Sequence, residues 1–268
     1  MNKYLVQIEN LEIGYGKGRK KKSLSAGIHC NVSGGELVSL MGRNGSGKST
    51  LFRTMAGLQA ALDGEVLLKG RPVQELRRFE LARMLGFVST EVVRVDGLRV
   101  RDLVAMGRYP HTGWFGRLSG KDYEMVDRAI ELTSMGSLAD RDMDELSDGE
   151  RQRAMIARTL AQDTEILVLD EPTAYLDLIH RYEITVLLGE LAREHGKTVI
   201  FSTHDLQLSL QEADKLWLLG GGGLIQGSPA ELLAGGKLEE NLLEGASREG
   251  LSLDPGTGNI MEADDQKN

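Results

Sequence analysis

One cysteine, Cys30, stands in a chain of 268 residues. No intrachain disulfide can form, and a reducing compartment suits such a chain. Cys30 itself is expected in the core as a small hydrophobe. Proline is scarce, at 5 residues. No apolar run approaches the roughly 20 residues that cross a bilayer. The first residues, Met1 to Glu9, interrupt any apolar stretch with polar side chains, so no signal peptide is read there. A cytoplasmic protein that reaches a membrane only through a partner is the expectation. Positive charge is also in deficit, with a formal net charge of -8. A nucleic acid as main partner is therefore not expected, because phosphate backbones need a basic face. A single nucleotide needs only local donors and is not excluded.

Glycine, by contrast, is abundant at 33 residues, while 41% of the chain is hydrophobic and 27% charged. That is the balance of a globular protein rich in tight turns. Its length allows one or two domains with a real core. Leu24, Ala26, Ile28, Cys30 and Val32 alternate with polar or small residues, which predicts a half-buried strand among antiparallel strands over 1–35. The basic run Arg19 to Lys22 just before it reads as a solvated loop. Short apolar segments at 36–41, 85–90, 166–170, 198–203 and 215–219 alternate with helical patterns, as in an α/β sheet. Ile166 to Leu169 shows no alternation, as expected of a parallel strand covered on both faces. Residues 91–162 read as a mostly helical insertion. Ser119 is placed to cap one helix, and a second starts near Gly149. The sheet domain is expected over 1–230, with an extension at 231–268 that frays at its end.

The sharpest local signal is Gly42-Arg43-Asn44-Gly45-Ser46-Gly47-Lys48-Ser49, which follows a predicted strand and opens a helix that continues through Thr50. This is a phosphate-binding loop. Its backbone N–H groups and the helix N-terminus can wrap phosphate oxygens, and glycine is needed because a Cβ would block that approach. Lys48 is placed to reach the outer phosphates and Ser49 to put its hydroxyl on Mg²⁺. An apolar strand then ends in Asp170-Glu171. Asp170 is placed to hold the Mg²⁺ shell, and Glu171 to polarise an attacking water.

Leu146-Ser147-Asp148-Gly149-Glu150-Arg151-Gln152 lies shortly before those acids. Here the chain resembles the ABC ATPase family, whose signature is usually Leu-Ser-Gly-Gly-Gln. The resemblance covers roughly residues 3–230. It implies a P-loop α/β core with an N-terminal antiparallel β-subdomain and an inserted α-helical subdomain. It implies ATP with Mg²⁺, and a homodimer in which Ser147 and Gly149 reach ATP bound to the other subunit. Ser147 would also serve as a plain helix cap. The resemblance further places Tyr15 on the adenine, or alternatively in the hairpin core. It puts Asp177, in Ala174-Tyr175-Leu176-Asp177, on a loop that crosses the dimer interface, and His204 at the γ-phosphate.

Three positions depart from the family's pattern. Thr90 stands where a glutamine usually touches Mg²⁺ and water, so its direct contact is open. Asp148 replaces a signature glycine and should weaken ATP-driven closure unless it points away or pairs with an arginine, and Glu150 replaces glutamine. Slow, partner-dependent hydrolysis is expected. Val100 to Pro110 and Gly116 to Ser119 resemble importers for iron–siderophore, haem and cobalamin. Such a subunit would sit on the cytoplasmic face of the inner or plasma membrane. It would dock on transmembrane permease subunits fed by a substrate-binding protein. Trp114 and Phe115 are read either as part of that docking surface or as buried. A non-transport ABC ATPase and an ATP-binding regulatory module remain as other classes.

Overall fold

The computed structural model describes residues 4–16, 18–90, 97–113, 116–220, 222–242, 251–253 and 260–262. The chain opens with β1 (Val6–Tyr15), β2 (Lys22–Val32) and β3 (Leu37–Met41), then α1 (Lys48–Met55). β4 (Asp63–Leu68) and β5 (Arg71–Pro72) form a tight hairpin, followed by α2 (Arg78–Met84) and β6 (Leu85–Val88). A helical stretch holds α3 (Val100–Met106), α4 (Gly120–Leu132) and α5 (Asp148–Ala161). Alternation then resumes with β7 (Ile166–Leu169), α6 (Leu178–Arg193), β8 (Thr198–Ser202), α7 (Leu206–Glu212), β9 (Lys215–Gly220) and β10 (Gly223–Gly227). The last elements are α8 (Pro229–Ala234), α9 (Lys237–Leu242), β11 (Leu251–Leu253) and β12 (Ile260–Glu262).

A six-stranded sheet runs β10-β9-β3-β8-β7-β6, with β6 to β9 and β3 parallel and β10 antiparallel at the edge. Every residue of β3, β7 and β8 is buried. Helices cover both faces of these strands, which is why their sequences are apolar without alternation. β3 is the earliest of these strands in the chain and lies in the middle of the sheet. The carboxyl ends of β3, β8 and β7 therefore lie side by side at a topological switch point, where α/β sheets bind ligands.

β2-β1-β4-β5 forms a second, antiparallel sheet. Here one expectation needs correction. Ile28, Cys30 and Val32 are buried as the alternation predicted, but Ala26 is exposed and Ser25 is buried instead. Leu11 pairs with Ile28 and Ile13 with Ser25, so β2 uses three residues where β1 uses two. The extra residue is a β-bulge, and Gly27 sits in it at φ 62°. A bulge shifts the inward set by one, so period two fails across it. Cys30 is a core residue of this sheet, and burial pushes its thiol pKa up.

The helical stretch has no separate core. Val104, Val126, Ile130, Ile156 and Leu160 belong to the same apolar cluster as Leu169, Leu187 and Val199 on one face of the large sheet. Ser119 caps α4 by accepting from the Asp122 N–H, and Asp122 in turn accepts from the Ser119 N–H and hydroxyl. A buried ion pair ties this layer together. Arg108 Nε donates to Asp122 Oδ1 at 2.9 Å, and its Nη1 donates to the carbonyl of Ala161 at 2.7 Å, at the end of α5. The hydrogen bonds from Ser119, then Arg108, hold the Asp122 carboxyl down at about 2. α8 begins at Pro229, two residues before the extension expected from 231. Leu232 and Leu238 pack with Met41, Leu216 and Leu218, so α8 and α9 lie on the large sheet's end. Among the described residues no helix is long and apolar enough to cross a membrane.

Candidate nucleotide site

The loop between β3 and α1 bends through three glycines with positive φ: Gly42 at 158°, Gly45 at 81° and Gly47 at 106°. At two of them a side chain has no room. A Cβ on Gly42 would lie 2.4 Å from the Leu219 carbonyl oxygen and 2.9 Å from Ser46 Oγ, and one on Gly47 would lie 2.9 Å from Ile13 Cδ1. Arg43 closes the turn by accepting from Ser46 N at 3.1 Å, with Asn44 exposed at its tip. α1 begins after Gly47 with no side-chain cap. Ser46 Oγ is buried without a hydrogen-bond partner. An uncapped helix start beside an unpaired hydroxyl fits an external anion.

Both catalytic candidates, Glu171 and His204, meet at Lys48, which is only 5% exposed. Its Nζ donates to the Gly42 carbonyl at 2.9 Å, lies 3.4 Å from His204 Nε2, and lies 3.9 Å from Glu171 Oε1. His204 Nε2 is itself 3.1 Å from Glu171 Oε1. Burial lowers the Lys48 pKa, while the charges of Glu171 and Asp170 pull it back up. These residues come together because β3, β7 and β8 are neighbours whose ends carry them.

Asp170 is 2% exposed and accepts from Ser202 Oγ at 2.9 Å. The same Ser202 oxygen accepts from the Glu171 N–H at 2.8 Å. Glu171 has φ 49°, a conformation uncommon for a side chain larger than glycine, and this bond helps hold it there. Ser202 therefore fixes both acids. Its signal in the sequence was a hydroxyl closing the apolar strand Thr-Val-Ile-Phe-Ser. Thr90 is exposed two residues beyond β6. Val88 pairs with Leu169, so Thr90 lies off the same sheet end as the two acids.

Two cavities flank this centre. One of about 570 Å³ is lined by Tyr15, Gly14, Gly16, Gln59 and Leu62. Tyr15 is half exposed, and its hydroxyl is 2.8 Å from Thr50 Oγ1, which ties the tyrosine to the first turn of α1. The other, of about 710 Å³, is lined by Glu171, Tyr175, Arg181, Thr203 and His204.

The remaining candidates stand apart from this cluster as helix caps. Ser147 accepts from Glu150 N at 3.3 Å, and Glu150 Oε2 accepts from the Ser147 N–H and hydroxyl at 2.9 and 2.8 Å. Asp148 pairs with Arg151, Nη1 to Oδ1 at 2.6 Å, which meets the condition set for tolerating a charge at that position. Asp177 caps α6 by accepting from the His180 N–H at 2.9 Å. Trp114 and Phe115 lie outside the described residues.

A glycine-rich loop between β3 and α1, acids at the end of β7 and a histidine after β8 make this an ATPase cassette of the P-loop α/β kind, with an antiparallel β-sheet and a helical layer added. The chain belongs to the ABC transporter family, whose profile matches residues 25–174. It is 39% identical over 232 residues to the ferric enterobactin transport ATP-binding protein FepC of Escherichia coli K12, covering 86% of this chain and 84% of that one. It is 41% identical over 211 residues to the probable siderophore transport system ATP-binding protein YusV of Bacillus subtilis 168, covering 79% and 75%. Among solved structures it resembles the ATP-binding cassette MJ0796 in a dimeric post-hydrolysis state bound to ADP and Pi. That match has a TM-score of 0.72 at 27% identity, covering 84% of this chain and 98% of that one. As a family member the chain is an ATP-binding, ATP-hydrolysing cassette.

Proposed function

We propose that this chain is the energy-coupling subunit of an ABC importer for iron–siderophore, haem or cobalamin cargo. It works as a homodimer on the cytoplasmic face of the inner or plasma membrane, bound to permease subunits that receive cargo from a substrate-binding protein. The names of the relatives and the stretch Val100 to Pro110 support the cargo class. The observation that carries the motor reading is the convergence of Lys48, Glu171 and His204 within 3.1–3.9 Å of one another.

Phosphates entering the loop draw Lys48 away from Glu171 and onto their own charge. Glu171 is then left to orient the attacking water and accept its proton. His204 sits where it can touch both Glu171 and the outer phosphate. Catalysis is mainly positioning and charge stabilisation. Ser49 and Asp170 offer the hard oxygen donors that Mg²⁺ prefers, with Thr90 near enough in the fold to assist through a water. Among the described residues no group of three or more metal-ligating His, Cys, Asp or Glu occurs. That suits an ion completed by substrate phosphates and water rather than by a protein cage. When bound, Mg²⁺ would offset charge on the transferring phosphoryl group. Tyr15, backed by Thr50, would stack on adenine, while Ser147, Gly149 and Asp177 would meet the partner's nucleotide.

The test is Mg²⁺-dependent ATP turnover by the purified chain and by Glu171→Gln. The variant should lose on the order of 10³-fold in rate and accumulate as an ATP-bound dimer. Co-expressed permease should raise wild-type turnover. A Glu171→Gln chain that turns over at the wild-type rate overturns the assignment of Glu171.

A further inference from the structure

The helix starts that present Ser147 and Asp177 belong to α5 and α6, which are separate elements. Gly149, in the first turn of α5, is buried under the ring of His180, in the first turn of α6. A Cβ on Gly149 would fall 2.6 Å from His180 Cδ2 and 3.0 Å from Cγ. The same ring is held from the other side, with Nδ1 2.8 Å from Asp177 Oδ1. Asp177 Oδ1 thus receives both the backbone N–H and the ring of His180. The imidazole thus touches one segment and hydrogen-bonds the other. One turn further along, Arg153 Nη2 donates to Glu183 Oε2 at 2.9 Å, so α5 and α6 stay tied together there without His180.

We propose that His180 is a positioning residue that locks the Ser147–Gly149 segment to the Asp177 loop, so that a subunit presents both to its partner as one rigid surface. The proposal rests on the dimer reading given above. It also assigns a second reason for glycine at position 149: a Cβ there would push the imidazole off its seat. A flat ring on a bare backbone transmits displacement because neither side has slack, as in any close-packed contact.

The experiment compares His180→Ala and His180→Asn in the full-length Glu171→Gln background. ATP affinity of the single chain should be unchanged in both, because the P-loop does not touch His180. The ATP concentration that drives dimerisation, followed by light scattering, should rise about tenfold for His180→Ala. His180→Asn should recover most of that loss, because its Nδ2 can still donate to Asp177. Hydrogen exchange on the nucleotide-free chain should quicken at 147–150 and at 177–180 together in His180→Ala. Dimerisation of His180→Ala at the parent's ATP concentration overturns the proposal. So does faster exchange confined to 177–180. Failure of the parent to dimerise at all sinks the dimer reading instead, and the exchange comparison then decides the lock by itself.

Discussion

The P-loop end of the molecule and the Ser147–Asp177 end are built by different means. At the P-loop, Lys48 and Asp170 are 5% and 2% exposed, and their positions are set by three adjacent strand ends. At the other end the side chains of Asp148 and Asp177 are 70% and 64% exposed, and their positions are set by helix caps. The first group holds one unmet hydroxyl, Ser46 Oγ, beside a buried Lys48 that is shared among the Gly42 carbonyl, His204 and Glu171. The second group is satisfied locally, through a capping box at Ser147, a side-chain N-cap at Asp177 and an i,i+3 ion pair at Asp148. Unmet demand inside one chain marks where a ligand enters. Satisfied but exposed groups on helix N-termini mark where another surface arrives.

The comparison breaks most sharply at Lys48. Lys48→Ala removes a buried cation facing the loop, and ATP affinity measured by calorimetry should fall about 100-fold, the equivalent of a charge-assisted hydrogen bond near the top of its range. Hydrogen exchange at 147–150 should not respond, because that end is held independently. A matching change there would show that the two ends are not separate.

An effect of about the same size is expected at the anchor of the helix that presents Ser147. Asp122→Asn leaves Arg108 buried without its counter-charge and should cost roughly 3 kcal/mol in chemical denaturation. The pH dependence follows the same pair. The folded carboxyl, at about 2, lies below the ordinary aspartate value near 3.9. Its stabilisation is therefore complete above pH ~4 and is lost as pH falls through about 2. Acid unfolding of Asp122→Asn should show less dependence on pH in that window than the parent.

The smallest effect is at Asp148. Asp148→Gly removes an exposed ion pair, so stability should hardly move. It also removes a negative charge beside the helix N-terminus proposed above to meet the partner's nucleotide, so ATP-driven dimerisation should tighten about threefold. No change would mean that Arg151 already neutralises the carboxylate.

Which features were legible in the sequence follows from how local their causes are. The P-loop and the Asp170-Glu171 strand end are contiguous, and their glycines and apolar run are local necessities. Gly57, at φ 66° just after α1, is likewise a local necessity, since a left-handed residue ending a helix favours glycine. The Asp148–Arg151 pair was also within reach, since residues three apart share a helix face. The bulge at Gly27 was not, because alternation carries no mark of a skipped residue until the partner strand is known. Arg108 with Asp122, and Gly149 with His180, are separated by 14 and 31 residues in the chain, and only packing brings them together. Ser202 is, by sequence alone, the polar end of an apolar strand. Its service to two acids depends on β7 and β8 being neighbours.

Cys30 is the sole cysteine, it is buried, and its thiolate is disfavoured by its surroundings. A thiol in that state reacts slowly with maleimides and disulfide reagents. The chain therefore comes as a nearly silent background for labelling chemistry. A cysteine introduced on the exposed first turn of α6, at Leu178 for example, would be the one reactive thiol per subunit, and a fluorophore or cross-linker attached there would report on the surface proposed to face the partner without first rebuilding the core.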